Sequence, residues 1–381
     1  MNVYLILLVV LCNVICLRAS RIMVSLFAIE LGAPQYLIGV MIGLYALFPA
    51  LLAVYAGRLS DRKGPHLPML GGSAGAVAGM LIPFAVPTVP ALAVSAVVFG
   101  VAFIFYHVAV QNMLGAISSD ETRTRNFSNY SLMISAGGFF GPLGAGISID
   151  HFGHRMTYLF VALFAMFPLL LLATSRALRE TRAAHPEGAG GHGGSRATFD
   201  LWRHRPLRGP LIGSTAVLTG TDLFEFYMPI YGHSIGLSAA QSGLVLSMVG
   251  VAAFTVRMVM PALARRTGEV QLLAFTLFLG AAAFVVFPLF KSMLVLALFG
   301  FLLGLSLGCG QPLSTILIYA HSPTGRTGEA LGLRLAINNA MHVIIPVAAG
   351  SVGSLFGVAP VFWANAILMA GGGTLVRRSG A

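Results

Sequence analysis

Two pairs of opposite charge interrupt the apolar runs of this chain. Arg18 and Arg21 form one pair, Asp222 and Glu225 the other. Each is spaced i, i+3, so both members share one face of a helix. The pairs lie 204 residues apart, position for position. Charge inside a membrane is costly and usually functional. Here it could form ion pairs between two elements. A carboxyl group deprived of its arginine could also take up a proton. Snorkelling of each side chain to its own interface is the competing reading. His107, beside Tyr106, Gln111 and Asn112, could bind a substrate or relay a proton. A buried histidine satisfied by a polar neighbour is the alternative. Its counterpart segment carries Gln311 and Pro312, and Asn129, Tyr130, Asn338, Asn339 and His342 add polarity. Arg334 reads as structural, and Arg257 as a gate or interface residue rather than a substrate contact. Phe224, Phe226, Tyr227 and Tyr231 flank the acids, with packing as their expected role.

No enzyme constellation is present: no Gly-x-Ser-x-Gly, no phosphate loop, no His-Glu-x-x-His and no dinucleotide fingerprint. No cofactor is expected. Without a nucleotide motif, active transport would have to run on an ion gradient. Cys12, Cys16 and Cys309 lack metal-ligand spacing and sit in apolar segments, so no metal or disulfide is expected.

The elements that must hold these groups are membrane helices. The chain is 57% hydrophobic and only 9% charged, against roughly 25% charged for a soluble domain. Twelve spans of about 20 residues fit: 3–27, 37–57, 67–87, 91–114, 127–149, 156–175, 208–231, 241–262, 269–289, 293–318, 330–353 and 359–376. The first lacks a basic lead and a cleavage site, so it reads as a membrane helix and not a signal peptide. Its lead is very short, which leaves a missing or misassigned start open.

The net charge of +11 is distributed unevenly: seventeen basic residues fall in one set of loops and two, Arg155 and Lys291, in the other. This positive-inside bias places both termini in the cytoplasm and argues against nucleic acid as the partner. Residues 176–207, rich in glycine with scattered arginine and histidine, read as a flexible linker between halves 1–175 and 208–381. His185, His192 and His204 lie there without acidic or cysteine partners, so a solvated linker is preferred over a metal site.

The halves repeat. Gly32, Gly39 and Gly64 match Gly236, Gly243 and Gly268, and Pro142, Gly146, Phe152 and Gly153 match Pro346, Gly350, Phe356 and Gly357, all at an offset of 204. A repeat of this size in a membrane chain points to two bundles around a central site.

Residues Gly57 to Gly64 read Gly-Arg-Leu-Ser-Asp-Arg-Lys-Gly between two apolar segments. This run resembles the signature loop between helices 2 and 3 of the major facilitator superfamily. Small Gly57 would allow close helix approach, Asp61 could meet a helix N-terminus, and Arg62 and Lys63 could face anionic lipid. The resemblance implies a conformational latch made of Gly57, Asp61, Arg62 and Gly64. Pro65 and His66 replace the family's usual basic residues, and the second copy has Arg265 in place of Asp61. In helix 5, Gly137, Gly141, Pro142 and Gly146 resemble the family's antiporter motif, with Ala145 replacing a glycine.

The resemblance covers essentially the whole chain. It implies an all-α, twelve-helix fold in two six-helix bundles, with helices 1, 4, 7 and 10 lining a cavity. It also brings helices 1 and 7 together near the external side. Arg18–Asp222 and Arg21–Glu225 pairs, or the exchanged pairing, would follow. The implied function is export of a small amphipathic molecule by alternating access, with H+ as coupling ion. The implied setting is a monomer among lipid in the bacterial inner membrane. Import of an organic anion gripped by Arg18 and Arg21 is an alternative, and a non-transporting membrane sensor is another. The implied substrate and coupling residues are Arg18, Arg21, His107, Gln111, Asp222, Glu225 and Gln311.

Overall fold

The computed structural model describes residues 3–175, 201, 204–323 and 326–379. All regular structure among them is helical. In lipid, each backbone N–H and C=O must be paired within its own segment, and continuous apolar runs therefore close into helices. The first four are α1 (Val3–Glu30), α2 (Gln35–Lys63), α3 (His66–Ala85) and α4 (Val89–Ile117). A continuous helical stretch, Asp120–Thr174, is broken at Gly153 (φ 75°, ψ 169°) into α5 (120–152) and α6 (154–174). The second half holds α7 (Arg205–Ser234), α8 (Ala239–Thr267), α9 (Glu269–Val286), α10 (Met293–His321), α11 (Thr327–Phe356) and α12 (Val358–Ser379).

Ten helical stretches are long and apolar enough to cross a membrane, the broken one counted once. Helix α7 is the twelfth element. Its apolar character is reduced by Asp222 and Glu225, the groups singled out above. Most of the linker expected at 176–207 lies outside the described residues, including His185 and His192. Helix α7 begins three residues earlier than expected, at Arg205, where Leu201, Leu207 and Leu211 are buried with Ile318.

The repeat is written into the backbone. Six glycines take positive φ among the described residues: Gly32, Gly64 and Gly153 in the first half, Gly236, Gly268 and Gly357 in the second. They are three pairs at the 204-residue offset. Each ends or breaks a helix in a conformation that a Cβ would strain. Ser119 and Ser238 add capping boxes at the starts of α5 and α8.

Within the halves, α1 packs on α5, α3 on α4, α8 on α10 and α9 on α12. Between the halves, α2 meets α11, α5 meets α8 and α1 meets α7. Large apolar side chains such as Leu51, Leu163, Leu294, Leu355 and Ile367 point outward, where lipid is their solvent.

The halves meet by a symmetric device. A Cβ on Gly39 of α2 would lie 2.3 Å from the Pro346 carbonyl oxygen of α11; a Cβ on Gly243 of α8 would lie 2.3 Å from that of Pro142 of α5. These contacts are repeat equivalents. The backbones touch because glycine has no side chain to hold them apart. Nearby, Ser354 Oγ accepts from the Tyr36 N–H (3.0 Å), while the equivalent Asp150 carboxylate accepts from Ala239 and Ala240 (2.9 and 3.0 Å). These contacts sit at the end of the molecule opposite the chain termini. Among the described residues, the hydrogen bonds between halves lie at mid-height or toward that end, except that Arg257 reaches Ser131 of α5 nearer the termini.

Candidate functional site

Five side chains from three helices meet between the halves. Arg18 and Arg21 project from α1, Asp222 and Glu225 from α7, and His342 from α11. Arg21 Nη1 lies 2.8 Å from Glu225 Oε2 and 3.7 Å from Asp222 Oδ1. Arg18 also pairs with Glu225, through the other carboxylate oxygen. The i, i+3 spacing stacks each pair one turn apart on the facing surfaces of α1 and α7. Both contacts of the exchanged pairing, Arg18–Glu225 and Arg21–Asp222, are present, but the pairing is not one-to-one, because Arg21 also binds Glu225. Glu225 takes both arginines, and Arg18 does not reach Asp222. Asp222, 7% exposed, is held by Arg21 and His342. His342, one of several polar residues of the sequence, acquires this role through its contact with Asp222. Its depth on α11 matches Asp222 on α7, but no spacing within one helix reveals a partner on another.

His107 belongs to a different place. It stacks on Phe103 at a ring-centroid distance of 5.3 Å and lies within hydrogen-bond reach of Tyr130 (3.1 Å) and Gln111 (2.8 Å). This cluster joins α4 to α5 and does not line the central cavity. His107 and Gln111, expected to contact substrate, sit here in a polar cluster within one bundle. The second half repeats it with different chemistry. Gln311 stands where His107 does and Arg334 where Tyr130 does. Gln311 Nε2 donates to the Ser214 carbonyl (3.1 Å), and Arg334 donates to Ser214 Oγ (2.8 Å) and to the Gln311 side-chain oxygen. Asn338 reaches the same hydroxyl at 3.2 Å. Gln311, unlike His107, faces the cavity. Phe226, Tyr227 and Tyr231 are core residues, and the Tyr227 hydroxyl donates to the Ala349 carbonyl.

The small-residue run of α5 has two working faces. Cβ atoms added at Gly137 and Gly141 would strike Val14 and Arg18 of α1, at 2.5 and 2.6 Å. Gly141 thereby lets Arg18 lie against α5 while its guanidinium reaches α7. Pro142 and Gly146 face the other way, onto Gly243 and Ala239 of α8. The Gly57 to Gly64 segment is not mainly a loop. Residues through Lys63 form the end of α2, and the chain turns at Gly64 (φ 81°). At Gly57 the nearest contact for an added Cβ is Val108, 4.0 Å away, so no close approach occurs there. Among the described residues, this end shows no contact between the halves as tight as the glycine contacts of the far end. Arg62 is exposed, and the Asp61 side chain lies outside the described residues.

The five charged residues form one wall of a cavity of about 300 Å³, also bounded by α5, α8 and α10. Its other walls are largely apolar, with Ile22, Ile134, Leu218, Phe224, Leu246 and Val249. Arg257 of α8 lines it as well. Expected only as a gate or interface residue, it faces the interior. Its Nη1 donates to Ser135 Oγ (2.6 Å) and Ser131 Oγ (3.2 Å) of α5, and its Nε to the Gly308 carbonyl of α10 (3.4 Å). A cavity with apolar walls and a few convergent polar groups, placed between two pseudo-symmetric bundles, suits a small ligand. Among the described residues, no group of three or more His, Cys, Asp or Glu is arranged to hold a metal.

Known proteins share this architecture. "Uncharacterized MFS-type transporter YuxJ" of Bacillus subtilis is 22% identical over 348 residues, covering 91% of this chain and 88% of its own. "Multidrug resistance protein MdtG" of Proteus mirabilis is 26% identical over 343 residues, covering 87% and 82%. Among solved structures, the nucleoside transporter NupG superposes with a TM-score of 0.81 at 13% identity, over 100% of both chains. The human organic anion transporter MFSD10 superposes with a TM-score of 0.66 at 19% identity, over 98% of both. At such identities the structural likeness speaks to fold alone. The sequence model described as Major Facilitator Superfamily matches residues 6–294. The chain belongs to the Major Facilitator Superfamily and is a multi-pass membrane transporter of small molecules, not an enzyme.

Proposed function

We propose that this transporter exports a small amphipathic molecule in exchange for H+ by alternating access. The observation that carries the reading is the charge cluster between α1 and α7. Asp222 and Glu225 are the two acidic residues away from the span ends, and arginines of the opposite bundle pair with them. When the halves part at this level, Glu225 loses both arginines, and Asp222 loses Arg21 and keeps His342 of its own bundle. An isolated carboxylate in a low-dielectric site takes a proton instead of standing charged. Closing restores the ion pairs and releases the proton, which ties protonation to conformation.

The positive-inside bias supports a cytoplasmic position for both termini, in the bacterial inner membrane. The structure is then the form closed on the external side. Asp61, Arg62 and the turn at Gly64 would latch the opposite form, when the cytoplasmic ends of the halves come together. Export is favoured by the antiporter-like run in α5 and by relatives that carry the name multidrug resistance protein. Domain limits of 1–175, 176–207 and 208–381 and a monomer fit this scheme.

The test is transport in everted membrane vesicles with an imposed pH gradient, using a panel of fluorescent amphiphiles. Accumulation should require an acid interior and collapse with a protonophore. Movement in the opposite direction would support import, and absence of any movement would support a sensor.

A further inference from the structure

Away from the span ends, four arginines lie within the spans, Arg18, Arg21, Arg257 and Arg334, against two carboxylates. The structure decides which cations are matched. Glu225 and Asp222 are committed to Arg18 and Arg21. Among the described residues, Arg257 has hydroxyl and carbonyl acceptors only: Ser131, Ser135 and Gly308. Its second terminal nitrogen makes no hydrogen bond to any described residue. Arg334 likewise has neutral partners, Ser214 and Gln311, and it holds Gln311 toward the cavity. The cavity therefore contains an uncompensated positive charge.

A guanidinium at membrane depth without a counter-ion is costly. The repeat does not require it, because the position equivalent to Arg257 in the first half is Ala53. Nor does packing, since Arg257 is half-buried and turned to the cavity. We infer that Arg257 is the recognition site for a single carboxylate on the transported molecule, and that the substrate is a small amphipathic monoanion. The carboxylate would take the free edge of the guanidinium, and Ser131 and Ser135 fix the plane in which that edge is presented. The apolar body would lie along Leu246, Val249 and Ile134 toward the charge cluster. A volume of about 300 Å³ is at the small end of ligand sites, which suits one aromatic or medium-chain aliphatic body. Bound there, the anion touches α8 while the same arginine holds α5, so it bridges the two halves. Arg18 and Arg21 are not this site, because their charge is already matched across the bundles.

The inference rests on the transport reading, and its test separates the two. Purified protein in nanodiscs is titrated with matched carboxylate, amide and ammonium forms of benzoic, naphthoic, octanoic and dodecanoic bodies. Thermal stabilisation reports binding, and proteoliposome flux reports transport. At least one carboxylate should stabilise the protein, with its amide and ammonium analogues at least tenfold weaker. Arg257→Gln should lose at least tenfold in that affinity, and Arg257→Lys should recover part of it. The ligand-free melting temperature of each variant separates lost binding from lost folding. Preference for the ammonium or amide forms, equal carboxylate binding by Arg257→Gln, or no carboxylate binding at all overturns the inference. Carboxylates that bind but are never transported would sink the transport reading and leave the site standing. Transport of cations unaffected by Arg257→Gln would do the reverse.

Discussion

The Asp150 carboxylate, at the end of α5, accepts the free backbone N–H of Ala239 at the start of α8, 2.9 Å away and in the opposite bundle. A helix N-terminus carries unpaired N–H groups and a partial positive charge. One carboxylate therefore caps a helix and fastens the two halves. Ser354 and Tyr36 repeat the arrangement with a neutral group.

Removing this cap should loosen the closed end. A charge at an exposed helix start contributes about 0.3–1 kcal/mol. Asp150→Asn should thus raise the open population about two- to fivefold. A cysteine placed at Val249, in a background lacking Cys12, Cys16 and Cys309, reports it through its rate of labelling from the far face. An unchanged rate would mean that the cap is local to α8.

The glycine contacts should matter more. A Cβ at Gly243 meets the Pro142 backbone carbonyl, and one at Gly39 meets that of Pro346. Backbone cannot swing aside as a side chain can, and overpacking of this kind costs about 1–3 kcal/mol. Gly243→Ala should accelerate the same labelling about tenfold, and adding Gly39→Ala should accelerate it further. A folded Gly243→Ala protein that labels at the wild-type rate would remove the close approach from the closing mechanism.

Because Glu225 serves both arginines, it should be the most sensitive member of the charge cluster. Loss of one partner from a buried ion pair costs about 3–5 kcal/mol, and the partial exposure here places the effect at about 3. Glu225→Gln should cut downhill exchange more deeply than Asp222→Asn, which leaves Arg18 and Arg21 on Glu225. Charge exchange tests the pairing itself. Arg18→Glu with Glu225→Arg should restore more flux than Arg18→Asp with Asp222→Arg, and the opposite order would contradict the observed pairing.

Coupling should follow location. Asp222→Asn should abolish accumulation against a gradient while downhill exchange of substrate continues. His342→Ala, which strips Asp222 of a partner, should shift the pH dependence of flux. His107→Ala, in a satisfied cluster away from the cavity, should lower the melting temperature and leave coupling intact. Loss of coupling in His107→Ala with normal coupling in Asp222→Asn would move the proton site to α4.

Much of this protein is legible in its sequence. Hydropathy marks the spans, since lipid makes a continuous apolar run and a closed helix the same requirement. The 204-residue repeat marks equivalent positions, and positive φ at Gly32, Gly64, Gly153 and their copies follows from glycine being the residue that takes it without strain. The excess of arginine over carboxylate within the spans is also countable from the chain. Only the tertiary structure decided which charges meet. Glu225 binds both arginines, His342 joins Asp222, Asp150 crosses to α8, His107 stays inside its bundle and Arg257 is left without a carboxylate. Spacing along a helix assigns a face, but a partner on another helix depends on relative rotation and depth, and these are set by where backbones can touch. Here Gly39, Gly243, Pro142 and Pro346 set them, through contacts between segments up to 307 residues apart in the chain.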